Sequence, residues 1–131
     1  MIEYTRDIRL NDIDAAGVIF YGRAFDISQE AFEFMLKSID WPIQKVIFHS
    51  GDIFPVVHTE ADYLGAIRLG DTISVWTSLF AISNSSFTLL YEFKRDDKTL
   101  LRVKTVQVSI KKESWKKSPI PEDFRSRITQ L

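Results

Sequence analysis

From Arg23 to Asp40 the chain contains no proline or glycine. Ala24, Ile27, Ala31, Phe34 and Met35 recur there at spacings of three and four, the signature of a helix over about 21–39. Phe25, Phe32 and Leu36 add apolar residues elsewhere around it, which predicts a helix enclosed on most sides. Trp41-Pro42 ends it, because a proline disfavours helix in the preceding residue. An apolar helix of this length needs a wrapper, and the rest of the chain supplies one. Four segments, about 54–66, 71–82, 85–96 and 99–112, carry period-two patterns. They include Ile73, Val75, Thr77 and Leu79, then Phe87, Leu89, Tyr91 and Phe93, then Val106, Val108 and Ile110. Gly70-Asp71, Asn84-Ser85 and Asp96-Asp97-Lys98 break them, the last as a hairpin turn. Tyr4, Ile8 and Leu10 share one parity and suggest a strand before the helix. Ser118-Pro119-Ile120-Pro121 stops the last strand, and 122–128 forms a final helical turn. The expected class is α+β, with one antiparallel sheet wrapped around a long helix. Such a sheet leaves an edge and a face open, and pairing with a second copy would cover them.

The 131 residues fit one domain spanning 1–131. Seventeen basic against eighteen acidic residues leave a net charge of -1, so no nucleic acid or anionic membrane is expected as partner. With no cysteine, disulfides, thiolate metal sites and a cysteine nucleophile are excluded. No basic segment followed by an apolar one opens the chain, and no apolar run approaches ~18 residues, so the cytoplasm is the expected address. Ten Phe residues indicate a bulky core or, alternatively, an apolar slot or subunit interface.

The chemistry concentrates in Asp12-Ile13-Asp14-Ala15-Ala16-Gly17-Val18-Ile19-Phe20-Tyr21. Two carboxylates stand two residues apart in a turn that runs into the helix N-terminus. That terminus presents free N–H groups and partial positive charge. A carbonyl oxygen resting there would be polarised, and a nearby carboxylate could attack the carbon or activate water toward it. Structural capping of the helix is the competing reading of the same residues.

This stretch resembles the signature of the 4-hydroxybenzoyl-CoA thioesterase family of hotdog enzymes: an Asp-x-Asp-x-x-Gly turn, two apolar residues, then an aromatic pair before the central helix. Pro55-Val56-Val57-His58, Leu69-Gly70-Asp71 and Ser118-Pro119-Ile120-Pro121-Glu122 extend the resemblance over nearly the whole chain. It implies a hotdog fold, a homodimer assembling to a homotetramer, and hydrolysis of an acyl-CoA substrate without a cofactor. It implies Asp14 as the catalytic carboxylate and the Tyr21 backbone N–H as donor to the thioester carbonyl. Gly17 would let the backbone turn and the substrate approach, with Val18 beside it. Within the family, Asp14-Ala15-Ala16-Gly17-Val18 with Pro55-Val56-Val57-His58 is similar to the 1,4-dihydroxy-2-naphthoyl-CoA hydrolases of quinone biosynthesis. The Tol-Pal-cluster acyl-CoA thioesterases share much of the pattern.

Other residues are open to two readings. His58 shares a strand face with Glu60 and Asp62. It either holds water or substrate near the thioester or is a structural histidine, and three ligands along one flat strand converge poorly on a metal. Ser85 and Ser86 stand where family members often place groups against the coenzyme A phosphates. Ser83, Asn84 and Ser85 replace a basic cluster there, leaving Arg68, Lys94, Arg95, Lys104, Lys111 and Lys112 as substitutes. Asp26, Glu30 and Glu33 read as exposed or interface groups, and His49 as a loop residue. No Gly-x-Ser-x-Gly elbow or nucleotide-binding glycine motif is present. The remaining alternative is a non-catalytic acyl-binding module on the same shell.

Overall fold

The computed structural model describes residues 1–131. Strand β1 (Ile2–Asp7) leads through a short 3-10 turn (Leu10–Asp12) and a loop into α1 (Arg23–Ser38). Helix α2 (Ile43–His49) and strand β2 (Asp52–Ile53) follow. Then come β3 (Val56–Tyr63), β4 (Thr72–Ile82), β5 (Ser86–Arg95), β6 (Lys98–Val108), β7 (Ile110–Lys111) and α3 (Glu122–Ile128). Five strands form one antiparallel sheet in the order β1-β4-β5-β6-β3, while β2 and β7 make a two-stranded annex. No helix is long and apolar enough to cross a membrane.

The long strands lie where the alternation predicts them. Ile73, Val75 and Thr77 of β4 and Phe87, Leu89, Tyr91 and Phe93 of β5 point inward and are essentially sealed from solvent. They face Ala24, Ile27, Ala31, Met35 and Leu36 of α1 in one hydrophobic cluster. At the β5–β6 hairpin, Asp96 and Asp97 both take positive φ, 50° and 66°, the backbone of a two-residue turn that matches strand twist.

Four expectations need correction. Helix α1 is not enclosed on most sides within the chain: one broad stripe is buried, while Asp26, Gln29, Glu33, Phe34 and Lys37 face solvent. The strand parity of 99–108 is reversed, while Ile110, beyond the break at Ser109, is buried as its row predicts. Leu101, Val103, Thr105, Gln107 and Ser109 face inward, and Val106 and Val108 face out. Pairing dictates this: the inward Phe87, Leu89 and Tyr91 lie opposite Gln107, Thr105 and Val103, and partners in a ladder share a face. The buried Gln107 is tolerable because its side-chain N–H donates to the Phe54 carbonyl at 3.0 Å. Leu10 leaves the β1 parity row, since the 3-10 turn exposes it (75%) and buries Asp12 instead. His49 closes α2 rather than lying in a loop; α1 already stops at Ser38, with Asp40 at φ 59°, and Pro42 stands at the N-cap of α2.

Several of the ten Phe build the core. Phe124 of α3 stacks on Phe54 at 4.5 Å and approaches Phe87 and Trp41 at 5.5 and 5.6 Å. This aromatic plug closes one end of the barrel-like wrap. Phe20, Phe34, Phe48 and Phe80 stay on the surface.

Candidate active site

The other end of the wrap carries the loop that precedes α1. Ile13 and Ile19 bridge each other, the Asp14 N–H donates to Val18 O at 2.9 Å, and the Gly17 N–H returns to Asp14 O at 3.0 Å. Gly17 closes this small hairpin with φ +79°, a conformation that a Cβ disfavours. The hairpin is stitched to the segment before β4. Ile19 N–H donates to Ile67 O at 2.8 Å, Leu69 N–H to Gly17 O at 3.3 Å, and Val18 bridges Arg68. The loop is therefore a fixed platform, not a free excursion.

Asp12 is its buried anchor, with no exposed surface. One oxygen accepts Arg23 Nε and Nη2 at 3.0 and 2.6 Å; the other accepts Arg6 Nη2 at 2.7 Å and the Arg9 N–H at 2.8 Å. Arg6 continues to Glu30, which also accepts the Tyr4 O–H at 2.9 Å. Burial pushes the Asp12 carboxyl up, but the Arg9 N–H and the Arg23 and Arg6 guanidinium groups pull it further the other way. Its pKa ends below the ordinary 3.8. A carboxylate with both oxygens saturated is not free to attack or to take a proton near neutral pH; it ties β1, the loop and the first turn of α1 together.

Asp14, two residues on, is exposed. Its Oδ1 accepts the Ala16 N–H at 2.8 Å, which folds the side chain over its own turn, and its Oδ2 accepts nothing within the chain. Beyond it the chain enters α1. Phe20 N–H is taken by Asp12 O at 2.9 Å, and Arg23 N–H donates to Phe20 O at 2.9 Å, but the N–H groups of Tyr21 and Gly22 have no acceptor in the chain. Thus one carboxylate oxygen stands free on the loop that leads into α1, and two peptide donors stand free at the start of that helix, where the dipole adds positive potential.

The chain does not gather every predicted residue here. Asp14, Gly17, Val18 and Tyr21 share the platform, and Arg68 sits on its supporting segment. His58 lies on β3, 3.4 Å from Glu60. Its face is opposite the helix, because Thr59 and Val56 line a cleft with Phe25 and Ser28 of α1 and alternate residues point away. His58, Glu60 and Asp62 form no metal-binding cluster. Ser85 is buried with its carbonyl accepting Ser109 N–H at 2.8 Å, and Ser86 Oγ meets Ser83 Oγ at 2.7 Å. Both belong to the β4–β5 turn, at the end of the sheet away from Asp14. Of the basic substitutes, Arg95 pairs with Asp71, Lys111 with Asp52, and Lys104 covers the Phe80 ring. Sequence reasoning missed two members of the site. The Asp12 hub was foreshadowed only by arginines at 6, 9 and 23. Tyr63, whose O–H donates to Tyr21 O at 2.7 Å, had no local signal.

A sheet wrapped around one helix, with a free carboxylate on the loop before it and unpaired N–H groups at its N-terminus, has the parts that a thioester hydrolase of hotdog type needs. The chain belongs to the thioesterase-like superfamily, whose model matches residues 8–128. It is 28% identical over 127 residues to a 1,4-dihydroxy-2-naphthoyl-CoA hydrolase of Rippkaea orientalis, covering 95% of this chain and 92% of that protein. Against the enzyme of the same description from Microcystis aeruginosa it is 29% identical, covering 98% and 93%. The crystal structure of a 1,4-dihydroxy-2-naphthoyl-CoA thioesterase from Synechocystis superposes with a TM-score of 0.90 at 28% identity, covering 98% of this chain and 96% of that one.

Proposed function

We propose that this thioester hydrolase cleaves 1,4-dihydroxy-2-naphthoyl-CoA, or a closely similar hydroxylated aromatic acyl-CoA, to the free acid and coenzyme A. The carrying observation is that Asp14 Oδ2 and the Tyr21 and Gly22 N–H groups are all left without partners along the one segment that runs from the loop into α1. The thioester oxygen rests against those donors, and its developing negative charge is stabilised by them and by the helix dipole. Asp14 then acts on the carbonyl carbon in one of two ways. As nucleophile it forms an acyl anhydride and expels the coenzyme A thiolate, and water later cleaves the anhydride. As general base it takes a proton from water as the water oxygen attacks the carbon, and the tetrahedral intermediate collapses with loss of the coenzyme A thiolate, which takes up that proton. The descriptions of the similar cyanobacterial proteins favour the naphthoyl group.

The working unit in this reading is one hotdog domain over residues 1–131, paired in the cytoplasm as a homodimer that assembles to a homotetramer. Strand β3 is an open edge with Val56, Val57 and Tyr63 exposed, a surface that invites pairing. A second copy paired antiparallel through β3 lays its Val56 end against this chain's Tyr63 end. The Val56 end carries an apolar groove of about 240 Å³ lined by Phe32, Leu36, Ile43, Val46 and Phe54, a suitable slot for an aromatic acyl group. His58, Ser85 and Ser86 would reach substrate only across this boundary, with Gly17 and Val18 contacting it from the platform.

The test is steady-state coenzyme A release by the wild type and Asp14→Asn across naphthoyl, benzoyl and aliphatic acyl-CoA thioesters. The expected result is preference for the naphthoyl substrate and loss of about 10³-fold in kcat for the variant. Near-native turnover by Asp14→Asn would refute the site. A preference for aliphatic thioesters would instead favour a broad acyl-CoA thioesterase of the Tol-Pal-cluster type.

A further inference from the structure

We propose that Tyr63 is a positioning residue for the turn that binds the thioester oxygen, its phenol O–H fixing the Tyr21 carbonyl and so the direction of the free donors at the start of α1. This rests on the reading of the helix end given above. A free N–H stabilises an oxyanion only if it is aimed before the charge develops. Each peptide unit is planar, with its C=O and N–H pointing in opposite directions, so whatever holds a carbonyl also aims the N–H across the same bond. The Phe20 carbonyl is held by Arg23 N–H at 2.9 Å, which aims the Tyr21 N–H outward. The Tyr21 carbonyl is held by Ala24 N–H only at 3.3 Å, a long bond. Its short partner is Tyr63 O–H at 2.7 Å, from a strand 42 residues away. That bond aims the Gly22 N–H and polarises it, because hydrogen bonds in series strengthen one another.

Tyr63 is itself held firmly. It pairs with Leu101 at the end of β3, and the next two N–H groups, of Leu64 and Gly65, both donate to Leu100 O at 2.9 and 3.0 Å. A Cβ at Gly65 would come within 2.7 Å of Leu100 Cδ2, so this segment packs too closely to slide. The residue remains 48% exposed, so its hydroxyl contact reflects orientation rather than core packing. Burial and the neighbouring Tyr21 push the phenol above its ordinary 10.0, which keeps it a donor throughout the neutral range.

The experiment compares wild type, Tyr63→Phe, and protein carrying 3-fluorotyrosine at position 63. Readouts are kcat and KM on the best acyl-CoA substrate, the thermal midpoint, and the backbone ¹⁵N resonance of Gly22. Expected for Tyr63→Phe are a fall of about tenfold in kcat, smaller than the loss of an oxyanion donor itself, KM within about twofold, an unchanged midpoint and a shifted Gly22 amide. The fluorinated ring keeps its O–H and should retain near-native kcat. Unchanged kcat in Tyr63→Phe overturns the inference, as does a rise in KM alone, which would make Tyr63 a substrate contact. An equal loss with 3-fluorotyrosine also overturns it, because disturbed packing would then be the cause. If Tyr63→Phe folds poorly, protein carrying the more acidic 2,3,5-trifluorotyrosine at position 63 decides: a kcat that falls and a Gly22 amide that shifts, relative to wild type, as that phenol ionises support the assignment, and profiles that match wild type refute it. Asp14→Asn measured in parallel separates the two readings. An inactive Asp14→Asn with a fully active Tyr63→Phe defeats only the role of Tyr63, whereas an active Asp14→Asn defeats the catalytic assignment.

Discussion

Asp12 and Asp14 have the same side chain and sit two residues apart, yet they occupy opposite environments. Asp12 is sealed from solvent and receives four hydrogen bonds from three arginines. Asp14 is exposed, receives one from its own turn, and keeps an oxygen free. The bridge between Ile13 and Ile19 separates them: it seats both isoleucines against the protein, one carboxylate on the inner side of the hairpin and the other at its tip. The inner one builds the platform and the outer one has the freedom that chemistry needs.

The contrast can be broken most forcefully from the buried side. Asp12→Ala leaves Arg6 and Arg23 without their shared partner in a half-buried position, a loss of about 3 kcal/mol. For a chain of this size that lowers the thermal midpoint by about 10 °C, measurable by calorimetry or circular dichroism. A midpoint within 2 °C (about 0.5 kcal/mol) of wild type would mean that the hub is dispensable.

A pH series sharpens the same point with a smaller effect. The folded pKa of Asp12 lies below 3.8, so its stabilisation is complete above the unfolded value and disappears as pH falls through the folded one. The stability difference between wild type and Asp12→Asn should be constant from about pH 5 upward and should shrink below about pH 4. Asp71 is lowered in the same direction: burial opposes the shift, but the Arg68 N–H and Arg95 outweigh it. Asp71→Asn should therefore remove a second part of the acid sensitivity. Chemical denaturation at each pH reads both differences.

The smallest expected effect is on the exposed side. Asp14→Ala should change stability by no more than about 0.5 kcal/mol, the range for surface positions, even as it removes turnover. A loss comparable to that of Asp12→Ala would erase the distinction and return Asp14 to a capping role.

Much of this architecture was legible because it is local. The proline-free apolar run required a helix, and the alternation of Phe87, Leu89, Tyr91 and Phe93 required a strand with one buried face. The Asp-x-Asp-x-x-Gly turn announced a carboxylate at a helix start, and Gly17 has the positive φ that its glycine suggested. Local spacing determines periodicity and turn chemistry, since both arise from neighbouring backbone geometry.

What depended on distant partners was decided only by the tertiary structure. Val106 and Val108 alternate as convincingly as any buried row, yet β5 places Gln107 inward and turns them out. Nothing near Tyr63 points to the Tyr21 carbonyl, and nothing in the spelling of Asp12 and Asp14 says which one is buried. The alternation of a strand defines two faces without naming the inner one. Which carboxylate is buried depends on arginines contributed by β1 and α1, and these meet only after the chain has folded around its helix.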